Sequence, residues 1–122
     1  MTRTDEGSAT VWVLAFVMLI VTVSVVGVAR TEAVVARHRT ERAADLAALA
    51  GASRIGRGGQ PCAVAVTVAA LNGVTLRSCV TSIAPSGRSG TIDVVVQCRI
   101  VLPIAGSAAV TAHARAARLT PG

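Results

Sequence analysis

Lysine and tyrosine are missing altogether from this 122-residue chain, and its aromatic side chains are Trp12 and Phe16 alone. Beyond residue 16 nothing can stack on a base, so single-strand nucleic-acid binding lacks its usual platform. Acids are scarce as well. After Asp45 the sole acidic side chain is Asp93, which leaves no pair of carboxylates for acid–base work in that half of the chain. There is no CxxC, and the glycine-rich stretch around Gly58 lacks the lysine of a phosphate-binding loop. The net charge of +6 is carried by arginines spread along the chain instead of gathered on one face, which argues against a nucleic-acid surface. Apolar residues are what the chain has in excess: 52% are hydrophobic and 15% charged, with a mean hydropathy of +0.64. That composition excludes disorder and, in a chain with room for one small domain, calls for a membrane segment.

The segment runs from Ala9 to Ala29, 21 residues without a charge. As a helix it spans roughly 30 Å, the thickness of a bilayer's hydrocarbon core. Its many β-branched residues would favour a strand in water. In lipid a single span must satisfy its own backbone, so it is a helix. Trp12 stands near one end, where an interfacial ring is expected. Thr22 and Ser24 can bond back to the helix, and Gly27 offers a small surface to a neighbour. A secretory signal peptide is the rival reading, with cleavage after Ala29, but its apolar region should be shorter and its flank should not carry Asp5 and Glu6. Arg30, Arg37, Arg39 and Arg42 follow the span and would hold that side in the cytoplasm. The cysteines downstream point the other way.

Between Arg30 and Ala52 there is no proline and one glycine, Gly51, so the helix is expected to continue. Arg37 and Glu41, and Arg42 and Asp45, are spaced to meet on its surface. The run from Ala43 to Ala52 is smooth enough for close helix packing, although helix propensity alone would also explain it.

The polar leader ending in Gly7, followed by SATVWVLAFVMLI, resembles the start of the TadE/TadG-like, type IV pilin-like group. The run ERAADLAALAGA from Glu41 to Ala52 is similar to the alanine-rich stretch that follows the membrane helix in that group. The layout is similar to the small actinobacterial helicase/secretion neighbourhood TadE-like proteins. The resemblance implies cleavage between Gly7 and Ser8 by a prepilin peptidase. It further implies a secretion ATPase with its membrane platform, other pilin-like subunits as partners, and a module outside the cell membrane. Subunit packing would fall to Trp12, Ala44, Ala47, Ala48 and Gly51. One departure stands out. Counting from Ser8, position five is Trp12, where such proteins usually carry a glutamate that recruits a neighbour's amine.

Residues 53–60, rich in glycine and arginine, read as a hinge. Pro61 suits the first turn of a helix and Asn72-Gly73 its end, which predicts a helix over 62–71, although Val64, Val66 and Val68 alternate as a strand would. Alternation over 74–81 places Val74, Leu76, Ser78 and Val80 on one face and Thr75, Arg77, Cys79 and Thr81 on the other. The clearest strand is 91–102, with Ile92, Val94, Val96, Cys98, Ile100 and Leu102 on one face. Pro103 ends it, Ala105-Gly106-Ser107 turns, and 110–119 forms a last, weaker strand with Thr111, His113 and Arg115 on its polar side. The fold class is therefore α+β: a long N-terminal transmembrane helix, then one short helix on a three-stranded antiparallel sheet. In domains, 1–7 is a leader, 8–52 the helix, 53–60 the hinge and 61–122 the external module.

A core this small calls for a covalent staple. Cys79 and Cys98 fall on unlike faces of their strands, whereas Cys62, at a helix start, is free to reach Cys79. Cys98 is then a small buried hydrophobe. The cysteine spacings match no compact zinc pattern with His38 or His113, and a cysteine nucleophile would have only His113 as a base. No metal, cofactor or catalytic residue is expected. The resulting reading is structural: a pseudopilin, minor pilin or envelope assembly factor of a tight-adherence (Flp-type) pilus or secretion system. The alternative is a secreted, disulfide-bonded binding module released by signal peptidase.

Overall fold

The computed structural model describes residues 5–102 and 106–121. Five elements follow one another: α1 (Asp5–Ala52), α2 (Pro61–Leu71), β1 (Thr75–Ile83), β2 (Gly90–Leu102) and β3 (Gly106–Arg118). The chain divides into two units, Met1–Ala33 and Val34–Gly122, and the division falls within α1. In the first unit the helix is long and apolar enough to cross a membrane, and the most apolar 18-residue stretch of α1 has none of its residues buried. Val13, Phe16, Leu19, Ile20 and Val23 are each about three-fifths exposed (59–64%).

In the second unit the three strands form an antiparallel sheet in the order β1-β2-β3. From Thr40 onward, α1 buries Thr40, Ala43, Ala44, Ala47, Ala48 and Ala52, the three- and four-residue spacing of one helix face. The alanines form one core with Ile92, Val94 and Val96 of β2, Ala112 and Ala116 of β3, and Ala65 and Ala69 of α2. Alanine permits this close approach of helix to sheet because a methyl group is all that stands between backbone and strand. The tightest point is Gly51, where an added Cβ would lie 2.5 Å from Ile92 Cδ1 and 3.0 Å from the Pro61 carbonyl oxygen.

Pro61 opens α2 where its missing N–H costs nothing. The helix closes at Asn72, with Gly73 at φ +74° and the Val74 amide donating to the Ala69 carbonyl at 3.0 Å, a glycine C-terminal stop. The alternation of Val64, Val66 and Val68 did not make a strand, because Ala65 and Ala69, four apart, supply a helical contact face.

Two expectations are corrected. In β1 the register shifts between Leu76 and Ser78, a bulge that moves the following residues to the other face. Val80 is consequently 62% exposed, while Leu76 and Cys79 pack against the core. β3 begins at Gly106, four residues before the expected start, because Gly106 and Ser107 pair with Leu102 and Val101 and extend the hairpin. Pro103 and Ala105, expected at the turn, lie outside the described residues. Between the helices, 53–60 is a succession of turns that seats Ile55 at 1% exposure. Arg118 reaches across to donate from Nη1 to the carbonyls of Ser53, at 3.2 Å, and Ile55. Gly56, at φ +76°, lies against the Arg88 backbone.

If the alanine face is core, enlarging it should unfold the second unit. Ala47→Leu is expected to cost about 1–3 kcal/mol by overpacking, and Leu49→Ala, at a 61% exposed position, close to nothing. Urea unfolding of the detergent-solubilised chain checks this. Equal effects from the two would contradict the packing.

Candidate functional site

Gly7 and Ser8 are exposed and already helical. An added Cβ at Gly7 meets nothing within 4 Å, so the chain's own fold does not require glycine there. Trp12 is 67% exposed. The hydroxyls of the span turn inward on their own helix: Thr22 donates to the Met18 carbonyl at 2.7 Å and Ser24 to that of Ile20 at 2.8 Å. Both therefore satisfy a donor without a neighbouring helix.

The alanines are a different matter. Ala44, Ala47 and Ala48 are at most 1% exposed, and Gly51 is buried against Ile92 and Pro61. In the single chain that surface is occupied by the chain's own sheet and second helix. Of the five residues expected to meet a neighbour, Trp12 alone presents its side chain outward. Beside that face, Arg37 pairs with Glu41 at 3.0 Å and His38 lies 3.6 Å from the same carboxylate. The Arg42–Asp45 pair does not form among the described residues. Val35, His38, Arg39, Arg42 and Leu46 instead line an open groove that Asn72 closes at the end of α2.

Cys62 and Cys79 are joined by a disulfide, with Cα atoms 5.8 Å apart. It ties the first turn of α2 to β1 and closes a 17-residue separation, worth about 3 kcal/mol in chain entropy. The bulge in β1 is what turns Cys79 toward the helix. Cys79 stands opposite Val94, so Cys98, four residues further along β2, is roughly 13 Å away and beyond bridging distance. Cys98 is free and packs against the core. His113 stands opposite Val95, on the other face of the sheet, which separates the remaining thiol from the one imidazole in the sheet. Among the described residues no three His, Cys, Asp or Glu side chains gather to hold a metal.

The outer face of the sheet carries an ion pair between Arg115 and Asp93. Arg115 donates to Asp93 from Nε at 2.7 Å and from Nη2 at 3.0 Å. The hydrogen bond from Arg115, against desolvation and with help from the guanidinium charge, holds the Asp93 carboxyl below its ordinary range, and the same contacts raise the guanidinium.

An exposed apolar helix running without interruption into an alanine face is thus the chain's principal feature, and residues 7–54 match the Flp pilus-assembly TadE/G-like family. That segment is TadE/G-like. No curated protein and no solved structure matches it. The TadE/G-like segment ends at residue 54, just beyond the last alanine of the buried face. It therefore includes both the span and the helical half of the core on which the sheet rests. These features fit a single-pass membrane protein with a role related to Flp pilus assembly.

Sequence reasoning missed Thr40, Ile55 and Arg118 as structural residues. Arg118 had a legible signal: it is the one charge on the inward phase of β3, where a cation must find acceptors. For the sheet's ion pair, Arg115→Gln should raise the Asp93 midpoint in a carboxyl NMR titration. Because the folded value is lowered, the pair's contribution is present above the ordinary carboxylate range and fades as pH falls through the lowered value. An unmoved midpoint would contradict the assignment.

Proposed function

We propose that this chain is a TadE-like minor pilin or envelope assembly factor of a tight-adherence pilus or a related secretion system, with its disulfide-tied module outside the cell membrane. The observation that carries this is the match over residues 7–54, which spans an exposed apolar helix and the alanine face that docks a folded module. Its role is structural: the helix holds the module at the membrane, and the module presents its sheet. The Cys62–Cys79 bridge supports an oxidising compartment for the module against the arginine count, which would place it inside. A prepilin peptidase acting between Gly7 and Ser8 completes the reading, with a secretion ATPase, its membrane platform and other pilin-like subunits as indirect or direct partners. The small actinobacterial helicase/secretion neighbourhood TadE-like proteins are the subgroup it fits.

Trp12 sets the place within such an assembly. A carboxylate in the span is costly unless a neighbour's amine pairs with it. Tryptophan removes both that cost and the recruiting charge. With the alanines committed to the chain's own core, contact with neighbouring helices falls to the apolar surface around Trp12. That arrangement suits a low-copy subunit at a tip or base better than the repeating subunit of a shaft.

Mass spectrometry of the mature N-terminus tests the class. The proposal expects Ser8; a chain starting at Arg30 would mark a secreted module, and one starting at Met1 or Thr2 an unprocessed anchor. Trp12→Glu is expected to increase incorporation into surface fibres. Unchanged or reduced incorporation would contradict the pilin geometry.

A further inference from the structure

Spread along the sequence, four of the arginines meet in the fold. Arg118, the partner of Gly90 at the start of β2, donates to the carbonyls of Ser53 and Ile55, which brings the end of β3 onto the turns after α1. Arg54 and Arg57 lie within those turns, the Arg57 amide donating to the Arg54 carbonyl at 3.1 Å. An added Cβ at Gly56 would stand 3.0 Å from the Arg88 Cα, and Thr120 donates to the Arg88 carbonyl at 2.9 Å. The loop between β1 and β2 therefore closes on the same place, and Arg54, Arg57, Arg88 and Arg118 share one end of the second unit.

Arg118 is engaged by the fold. The side chains of Arg54, Arg57 and Arg88 make no hydrogen bond or ion pair among the described residues, and all three are exposed. The chain has no Asp or Glu between Asp45 and Asp93, and none after Asp93. Asp45 lies about 10 Å of helix before Ala52. Asp93, roughly 10 Å of strand beyond Gly90, is held by Arg115. Both distances are about a Debye length or more at physiological salt. Like charges are thus gathered against their mutual repulsion, with no acidic side chain to offset them.

The patch is not polar throughout. Leu49, Arg57, Arg118 and Leu119 line one shallow groove, and Ile83 stands with Arg118 and Leu119 in the neighbouring one. All three aliphatic side chains are exposed, Leu119 to 84%. The chain's two aromatics are Trp12 and Phe16, so this surface has no platform for bases. A phosphate polymer could use the guanidinium groups but would gain nothing from the leucines. A protein segment with carboxylates beside aliphatic side chains uses both, and arginine is among the residues enriched at protein interfaces. A second copy of this chain is a poor donor of such a segment: Glu41 and Asp93 are already paired, which leaves Asp45 as the one acid of the second unit without an ion pair among the described residues.

We propose that this end of the second unit is a docking surface for an acidic, aliphatic-rich segment of a partner protein. Arg54, Arg57 and Arg88 meet its carboxylates, and Leu49 and Leu119 its apolar side chains. The surface belongs to the second unit alone, so nothing in it depends on the pilin reading. The segment supplies the missing counter-charge, and the planar guanidinium can hold a carboxylate by two parallel hydrogen bonds. Docking of this kind is steered by charge and weakened by salt.

The test is fluorescence anisotropy on the full chain in a non-ionic detergent, with a labelled synthetic peptide of alternating glutamate and leucine as the probe. A glutamate-only peptide of equal charge and a DNA duplex are the comparisons. Saturable binding of the glutamate–leucine peptide is expected, weakened about threefold by Arg57→Gln or Arg88→Gln and about tenfold by the two together. Arg99→Gln removes the same charge at an exposed site of β2, about 30 Å along the strand from Gly90, and should change nothing. Leu119→Ser should weaken the glutamate–leucine peptide and leave the glutamate-only peptide unaffected. Because Arg57 and Arg88 have no side-chain partner, their variants should melt with wild type; earlier melting would assign them to the fold and count against the proposal. No saturable binding overturns it. So does an equal loss with Arg99→Gln, which would mean that net charge alone attracts the peptide. Binding of the duplex or the glutamate-only peptide as tightly as the glutamate–leucine peptide would assign the patch to polyanions and overturn it as well.

Discussion

The contact between the alanine face of α1 and the central strand is the constraint on which the rest depends. A sheet of three strands with one helix across it has little to bury, and the largest fully buried side chains are Ile55, Ile92, Val94, Val96 and Thr40. Without aromatics in the core, stability must come from closeness instead of bulk. Methyl groups at Ala43, Ala44, Ala47 and Ala48, and none at Gly51, bring a helix backbone onto Ile92, Val94 and Val96. Dispersion falls off steeply with any gap. The same residues that would make a smooth surface for a neighbour are consumed in making a module at all.

That commitment separates two tasks along a single helix. Its first part is apolar on every side and buries nothing within the chain; its second part is amphipathic and belongs to a folded core. The disulfide between Cys62 and Cys79 holds α2 to the sheet edge opposite β3. Ile55 and Arg118 close the far end by docking the inter-helix turns onto the last strand. The glycine-rich stretch 53–60 is therefore part of the structure that fixes α2, and Gly56 is needed for its positive φ beside Arg88.

Much of this was legible in the residues. The uncharged run to Ala29, the proline and glycine that bracket α2, and the alternation from Ile92 to Leu102 correspond to the first part of α1, to α2 and to β2. What was hidden was non-local. Nothing within residues 75–81 announces that a bulge reverses the facing of Val80 and Cys79; it is set by pairing with β2. The alanine run was equally compatible with an internal or an external partner, since a small-residue face is identical in both cases. Trp12 remains outward and Ala44, Ala47, Ala48 and Gly51 do not, a distinction that composition could not draw.

Whether the alanine face belongs to the chain's own core can be measured directly. In the full chain carrying Cys98→Ala, the substitution Ala47→Cys and, separately, Leu49→Cys can be probed with a maleimide on protein dispersed to single chains in detergent. A thiol at 47 is expected to stay unlabelled until urea unfolds the module, while one at 49 reacts at once. Rapid labelling at 47 in dispersed chains, with protection appearing only on assembly, would show that the face belongs to a neighbour and contradict the claim.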